Sequence, residues 1–350
     1  MKTVPRAAPI QIPTPREIFS RLDRYVIGQE KAKKAVSIAA HNHLKRVAQR
    51  RAGQKTLLRK SNVLLIGPTG SGKTHIARQL AAILDVPFVV ADATEYTEAG
   101  YYGKDVEVMV GELLLKAEHS LEQTQAGIVF IDEVDKIARR GSGARTGSGS
   151  RDIGGEGVQQ SLLKLLEGRE IFVPLNVTQH WNKHDFVQVD TTDILFICAG
   201  TFSDVYHYGD APSVGFGAKH AVSGKRPAHH RRVTHRELLE YGMLSEFLGR
   251  LPVTVELDPL GEDELIQVLT VPPDSLVKEY QELLALDDVT LTFTPGALRD
   301  IARHALARKV GARGLRAIFE ELMADALFTA PERRGEPVSV DAKLVRRMLG

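Results

Sequence analysis

Short apolar runs punctuate the first 257 residues, at 63–66, 88–91, 128–131, 194–197 and 253–255. They are rich in β-branched residues and lack polar alternation, which is the pattern of strands buried on both faces. Helical spacing lies between several of them. Residues 74–84 place Ile76, Ala77, Leu80 and Ile83 on one face, and residues 156–167 do the same with Val158, Leu162, Leu165 and Leu166. Strands alternating with helices predict an α/β fold built on a parallel sheet.

Two segments break the pattern. Residues 141–155 are rich in Gly, Ser and Arg and read as a mobile loop. Residues 204–233 carry Gly, Pro and basic residues with little periodicity, a long irregular excursion of the kind that is usually functional or disordered. After Pro259 the texture turns helical, over 265–269, 276–284, 296–308 and 313–328, with a short strand near 289–293. Thr294-Pro295 is a helix start, a capping hydroxyl followed by proline in the first turn. The predicted organisation is an extended lead-in over 1–13, a large domain over 14–257 and a small, mostly helical domain over 258–350.

Composition removes several function classes. Lys+Arg number 46 and Asp+Glu 44, a net charge of +2, which argues against a protein held to nucleic acid by bulk charge. The single cysteine, Cys198, excludes an intramolecular disulfide framework and a multi-cysteine zinc site. No apolar run approaches the ~18 residues of a membrane span, and the N-terminus has no signal-peptide pattern. No membrane partner and a cytoplasmic location are therefore expected.

The chemistry lies at Gly67-Pro68-Thr69-Gly70-Ser71-Gly72-Lys73-Thr74. This run fits G-x-x-x-x-G-K-[ST], directly follows the strand 63–66 and opens the helix after it, the context that the motif requires. The glycine-rich turn points backbone N–H groups at phosphate oxygens, helped by the helix N-terminus. Lys73 would reach the β- and γ-phosphates, and Thr74 would offer its hydroxyl to Mg²⁺. The run 128–131 ends in Asp132 and Glu133. Asp132 suits the metal, through water, and Glu133 suits polarisation of an attacking water. The expected cofactors are ATP and Mg²⁺, without zinc, and the adjacent acid pair favours sustained ATP hydrolysis.

With these residues in view the chain resembles the AAA+ family, and within it the ClpX-type protein unfoldases, over roughly residues 13–350. Tyr25-Val26-Ile27-Gly28-Gln29 is similar to the family's adenine-side segment, so Val26 and Ile27 would face the base. Glu246-Phe247-Leu248-Gly249-Arg250-Leu251-Pro252 is similar to its arginine-finger segment, and Gly311-Ala312-Arg313-Gly314 to its sensor-2 segment. The resemblance implies that Arg250 reaches a neighbouring subunit's nucleotide while Arg313 contacts the nucleotide of its own chain. It puts a sensor-1 residue near 198–201, with Thr201 the polar candidate.

The same resemblance implies a hexameric ring that threads unfolded or tagged proteins through a central pore, into a ClpP-like peptidase. Gly100-Tyr101-Tyr102-Gly103 stands where the family has an aromatic pore loop, and Arg151 falls in its second pore loop. Val214-Gly215-Phe216 takes the place of the peptidase-docking Ile-Gly-Phe. The stretch 179–184, where the family has a basic pore-entrance loop, is less basic here. His229-His230-Arg231-Arg232 lacks a partnering ligand pattern and reads as a solvated loop. The family's N-terminal zinc domain, which receives substrates and adaptors, is expected to be absent. Two alternatives stay open: a peptidase-independent remodelling chaperone, and a nucleic-acid AAA+ motor, for which no DNA-binding appendage is visible. The related HslU type fits less well, because the spacing from Lys73 to Asp132 leaves no room for its insertion.

Overall fold

The computed structural model describes residues 12–54, 57–97, 104–139, 155–174, 186–203, 205 and 232–349. The chain opens with α1 (Pro15–Asp23) and the long α2 (Glu30–Arg51). Thr14 and Glu17 form a capping box that fixes the start of α1, with Pro15 in its first turn. Then come β1 (Val63–Ile66), α3 (Lys73–Leu84), β2 (Phe88–Asp92), α4 (Val108–Lys116), α5 (Leu121–Gln125) and β3 (Ile128–Asp132). Helix α6 (Gly155–Glu167) precedes a hairpin of β4 (Glu170–Pro174) and β5 (Phe186–Asp190). β6 (Leu195–Gly200), α7 (His235–Tyr241), α8 (Ser245–Gly249) and β7 (Val253–Glu256) follow.

The sheet has the order β2-β3-β6-β1-β7, with every pairing parallel. Helices cover both of its faces, as a parallel sheet requires. On one side Ile18, Val36, Ala40, Ile76 and Leu80 pack on Leu65, Phe130 and Ile197. On the other, Met109, Leu113, Leu162 and Leu165 pack on Leu64, Ile131 and Phe196. Burial on both faces holds for β1, β3 and β6, whose residues up to Ile131 in β3 are all buried. It does not hold for the edge strands. Val90 of β2 is 42% exposed and Thr254 of β7 faces solvent, because the helical layers reach only one face of each edge.

The remainder contains α9 (Glu262–Thr270), α10 (Leu276–Ala285), β8 (Leu291–Phe293), α11 (Pro295–Ala307), α12 (Leu315–Thr329), β9 (Val338–Val340) and α13 (Ala342–Leu349). It has its own core, centred on Leu269, Tyr280, Leu284, Ile301 and Phe319. Thr294 caps α11 by accepting from Ala297 N, with Pro295 behind it. A helix is expected from residue 313. Instead Gly311–Gly314 form a separate 3-10 turn and α12 begins at Leu315, because the left-handed Gly311 (φ 55°) starts a tighter turn first.

The topology places the chemistry. β3, β6 and β1 are adjacent and parallel, so their C-terminal ends meet at one edge: Asp132, Gly200 and the turn beginning at Gly67. That is where ligands bind in open α/β sheets.

Candidate functional site

A cleft of about 730 Å³ lies at this edge, between the sheet and the C-terminal helices. Its floor is the turn from Thr69 to Thr74, with Gly70 at φ 78° and Gly72 at φ 97°. Only glycine adopts such angles without strain, so the sequence can turn this sharply and still start α3 at Lys73. Pro68 closes the turn by accepting from Ser71 N at 3.3 Å.

Lys73 is 8% exposed, and its Nζ donates to the carbonyls of Gly67 at 2.7 Å and Pro68 at 3.1 Å. Burial lowers its pKa from the ordinary lysine value, and the carboxylates of Asp132 and Asp135 oppose that shift. The Thr74 hydroxyl donates to Asp132 Oδ2 at 3.1 Å, while Asp132 Oδ1 accepts from Glu133 N at 2.9 Å. A hydroxyl and a carboxylate thus converge at the helix start, a hard-oxygen donor pair suited to Mg²⁺. Among the described residues no group of three or more His, Cys, Asp or Glu side chains gathers to hold a metal. Mg²⁺ itself is ordinarily held by one or two such ligands together with substrate phosphates.

Glu133 lines the same cleft and has φ 59°. A non-glycine residue in the left-handed region is uncommon and stores strain, which clusters at functional positions. Its carboxylate pairs with Lys136. Thr201, also in the lining, donates from its hydroxyl to Asp135 Oδ2 at 2.7 Å, and Phe202 N donates to the same oxygen at 3.2 Å. Asp135 escapes sequence reasoning, and its one signal is a third carboxylate soon after the acid pair.

Val26 and Ile27 line one wall with Tyr25. Gln29 fixes this segment. Its amide donates to Asp258 O at 2.7 Å and Ser71 O at 3.3 Å, and accepts from Asp258 N at 3.0 Å. The opposite wall is C-terminal, with Leu276, Ala312, Arg313 and Arg316. Ala312 N donates to Gly70 O at 3.4 Å, so the two parts touch at the phosphate-type turn. Arg313 therefore lies with Lys73, Thr74, Asp132 and Glu133 around one cleft. Arg250 is not in that lining. It is half exposed, and its Nη2 donates to Glu167 Oε1 at 2.6 Å.

Cys198 is buried in β6, where burial raises its thiol pKa. Tyr101, Tyr102, Arg151, Val214, Gly215 and Phe216 lie outside the described residues. So do the stretch 179–184, His229 to Arg231, and most of 141–155 and 204–233. No helix among the described residues is long and apolar enough to cross a membrane.

Residues 58–254 match the family model described as "AAA domain (Cdc48 subfamily)", and residues 260–337 match the "C-terminal, D2-small domain, of ClpB protein". The chain is 46% identical over 322 residues to the "ATP-dependent Clp protease ATP-binding subunit ClpX 2" of Wolinella succinogenes. That alignment covers 92% of this chain and 79% of the relative.

Proposed function

This chain belongs to the ClpX-type ATPases of the AAA+ family, and from that premise we propose that it is an ATP-driven protein unfoldase. In this reading it assembles as a hexameric ring and threads unfolded or tagged proteins through its pore into a ClpP-like peptidase. Its working parts are a nucleotide-binding domain over 14–257 and a small helical domain over 258–350, and it works in the cytoplasm.

The observation that supports this best is the convergence of Lys73, Thr74, Asp132 and Glu133 in a cleft closed by Arg313 from the C-terminal helices. The turn 67–74 cradles the phosphates of ATP with backbone N–H groups. Lys73 leaves the Gly67 and Pro68 carbonyls for the β- and γ-phosphates. Thr74 and Asp132 hold Mg²⁺, which when bound neutralises charge on the transferring phosphoryl group. Glu133 orients and polarises the attacking water. Val26 and Ile27 hold the base side. Arg313 senses the nucleotide of its own chain. Arg250, outside its own cleft, supplies its cation to the neighbour's γ-phosphate. Tyr101 and Tyr102 grip the translocating chain, Arg151 faces the channel, and Val214-Gly215-Phe216 docks the peptidase.

The deciding experiment follows a stably folded fluorescent reporter carrying a degradation tag, with ATP, with and without the host's ClpP-like peptidase. ATP-dependent loss of fluorescence, with fragments only when the peptidase is present, is expected. Unfolding with no fragments under either condition would leave a remodelling chaperone. DNA-stimulated hydrolysis without any unfolding would overturn the proposal.

A further inference from the structure

Helix α6 brackets the segment that ends in Arg250. Gln159, on α6, is fully buried, so both ends of its amide need partners. Its Nε2 donates to Ile137 O at 2.8 Å and to Gly242 O at 3.4 Å, and its Oε1 accepts from Leu244 N at 2.8 Å. Ile137 ends the turn Val134–Ile137 that follows Glu133. Gly242 caps α7, Leu244 caps the start of α8, and Arg250 caps its end. Arg139 N adds a tie to Gly242 O at 2.8 Å. One buried amide thus joins the turn after Glu133 to the short segment carrying Arg250.

The far end of α6 holds the arginine itself. Glu167 is the last residue of α6 and takes Arg250 Nη2. Asn62, buried beside them, donates to Arg250 O at 3.0 Å and to Leu166 O at 3.3 Å. Backbone and guanidinium are therefore both fixed to α6 and its surroundings. Arg250 and Glu167 are 50% and 47% exposed, and an ion pair so exposed contributes little to folding. What it sets is direction. A guanidinium held at one nitrogen keeps its other donors for a second anion.

We propose that Gln159 and Glu167 are positioning residues for Arg250. They aim it at the neighbouring subunit's nucleotide and tie it to the hydrolytic turn of its own chain. This inference rests on the reading of Arg250 given above.

The test is a double-mutant cycle in the full chain with E167Q, Q159L, R250A, E167Q/R250A and Q159L/R250A. Steady-state ATPase against MgATP concentration, binding of a fluorescent ATP analogue and sedimentation of the ring are measured together. E167Q and Q159L are expected to lower kcat by about tenfold, with KM and nucleotide affinity within about twofold and assembly intact. Neither should slow the enzyme further in the R250A background. E167Q replaces a surface residue, so it carries the test if Q159L fails to assemble. Wild-type kcat in E167Q with a slow R250A would overturn the positioning role and leave the arginine reading standing. A further loss in E167Q/R250A would also overturn it, because Glu167 would then act elsewhere. Wild-type turnover in R250A would remove the arginine reading and this inference with it.

Discussion

The Thr74 hydroxyl reaches Asp132 Oδ2 at 3.1 Å, although the two residues are 58 apart in the chain. The contact exists because β1 and β3 flank β6 in one parallel sheet and end at the same edge. Asp132→Asn keeps the shape of this pair and removes its charge. We expect ATPase activity to fall by roughly two orders of magnitude and the Mg²⁺ requirement to rise, since one of the two proposed protein ligands is weakened. A Mg²⁺ titration of turnover at fixed ATP measures both. An unchanged Mg²⁺ midpoint would separate Asp132 from the metal.

Glu133 shares the cleft with Asp132, and its proposed role is water activation. Glu133→Gln preserves size and leaves the left-handed backbone (φ 59°) occupied by another non-glycine residue. ATP affinity should stay within about twofold, while turnover drops by roughly 10²–10⁴, the usual weight of a general base. Equilibrium binding and single-turnover hydrolysis divide the two effects. Steady hydrolysis by the variant would take Glu133 out of that role.

The parts of the site legible in the sequence are those encoded within a few residues. The turn 67–74 and the acid pair each sit on a buried strand, so motif and context are local. Helix α2 leaves no such mark, because Lys33, His43 and Arg46 occupy its buried positions and blur the apolar stripe. Two of them find partners far along the chain, His43 at Ala126 O and Arg46 at Asp193 at 3.0 Å, while Lys33 pairs with the nearer Asp23. The hairpin β4–β5 is hidden for the converse reason. Phe172 and Phe186 stand exposed on it, so apolar residues fill both faces of β4 and the alternation of β5 covers only its last four residues. Asp135 gains its meaning only from Thr201 and Phe202, which arrive from β6. Arg250 lies outside its own cleft, and its pairing with Glu167, 83 residues earlier in the chain, is what only the folded chain reveals.

Tyr101 stands between the bridge partners Tyr96 and Lys104 in the chain. Its proposed work is mechanical, so its loss should spare chemistry. Tyr101→Ala is expected to retain at least about half of the ATPase rate while unfolding of a stable reporter falls at least tenfold, the signature of a contact outside the reacting centre. Parallel ATPase and fluorescence-loss assays read the two. Reporter unfolding at the wild-type rate would sink the pore-loop assignment.

Gly70 shows how the C-terminal part is seated. A Cβ at this position would come within 2.8 Å of Val310 O and 2.9 Å of Gly311 Cα, and φ is already +78°. Both obstacles are backbone, so neither can step aside cheaply. Gly72 is the control, with φ +97° but nothing within 4 Å of the point a Cβ would occupy. Gly70→Ala should weaken ATP-analogue binding by tenfold or more, roughly 1–3 kcal/mol of strain, and expose the 310–313 turn to proteolysis. Gly72→Ala should strain the phosphate turn without freeing 310–313. Equal protease sensitivity in the two variants would refute the seating argument.

His43 makes acid stability a property of α2. It is 1% exposed, its Nε2 bonds Ala126 O at 2.9 Å, and burial pushes its pKa down from 6.5 to about 3. The charges of Arg46 and Lys60 push the same way, and the Ala126 bond opposes them. The folded chain therefore keeps His43 neutral at pH 5, whereas the unfolded chain protonates it below about 6.5. Below that value the unfolded state binds more protons, so the stabilisation is complete above pH 6.5 and is lost as pH falls toward 3. The slope approaches 1.4 kcal/mol per pH unit, or about 2 kcal/mol lost by pH 5. His43→Gln removes the titrating group and should flatten this part of the profile, even if it lowers stability at neutral pH. Urea unfolding of both chains at about pH 7.5, 6 and 5, followed by circular dichroism, measures the difference. Parallel declines in the two chains would assign the acid sensitivity to other groups.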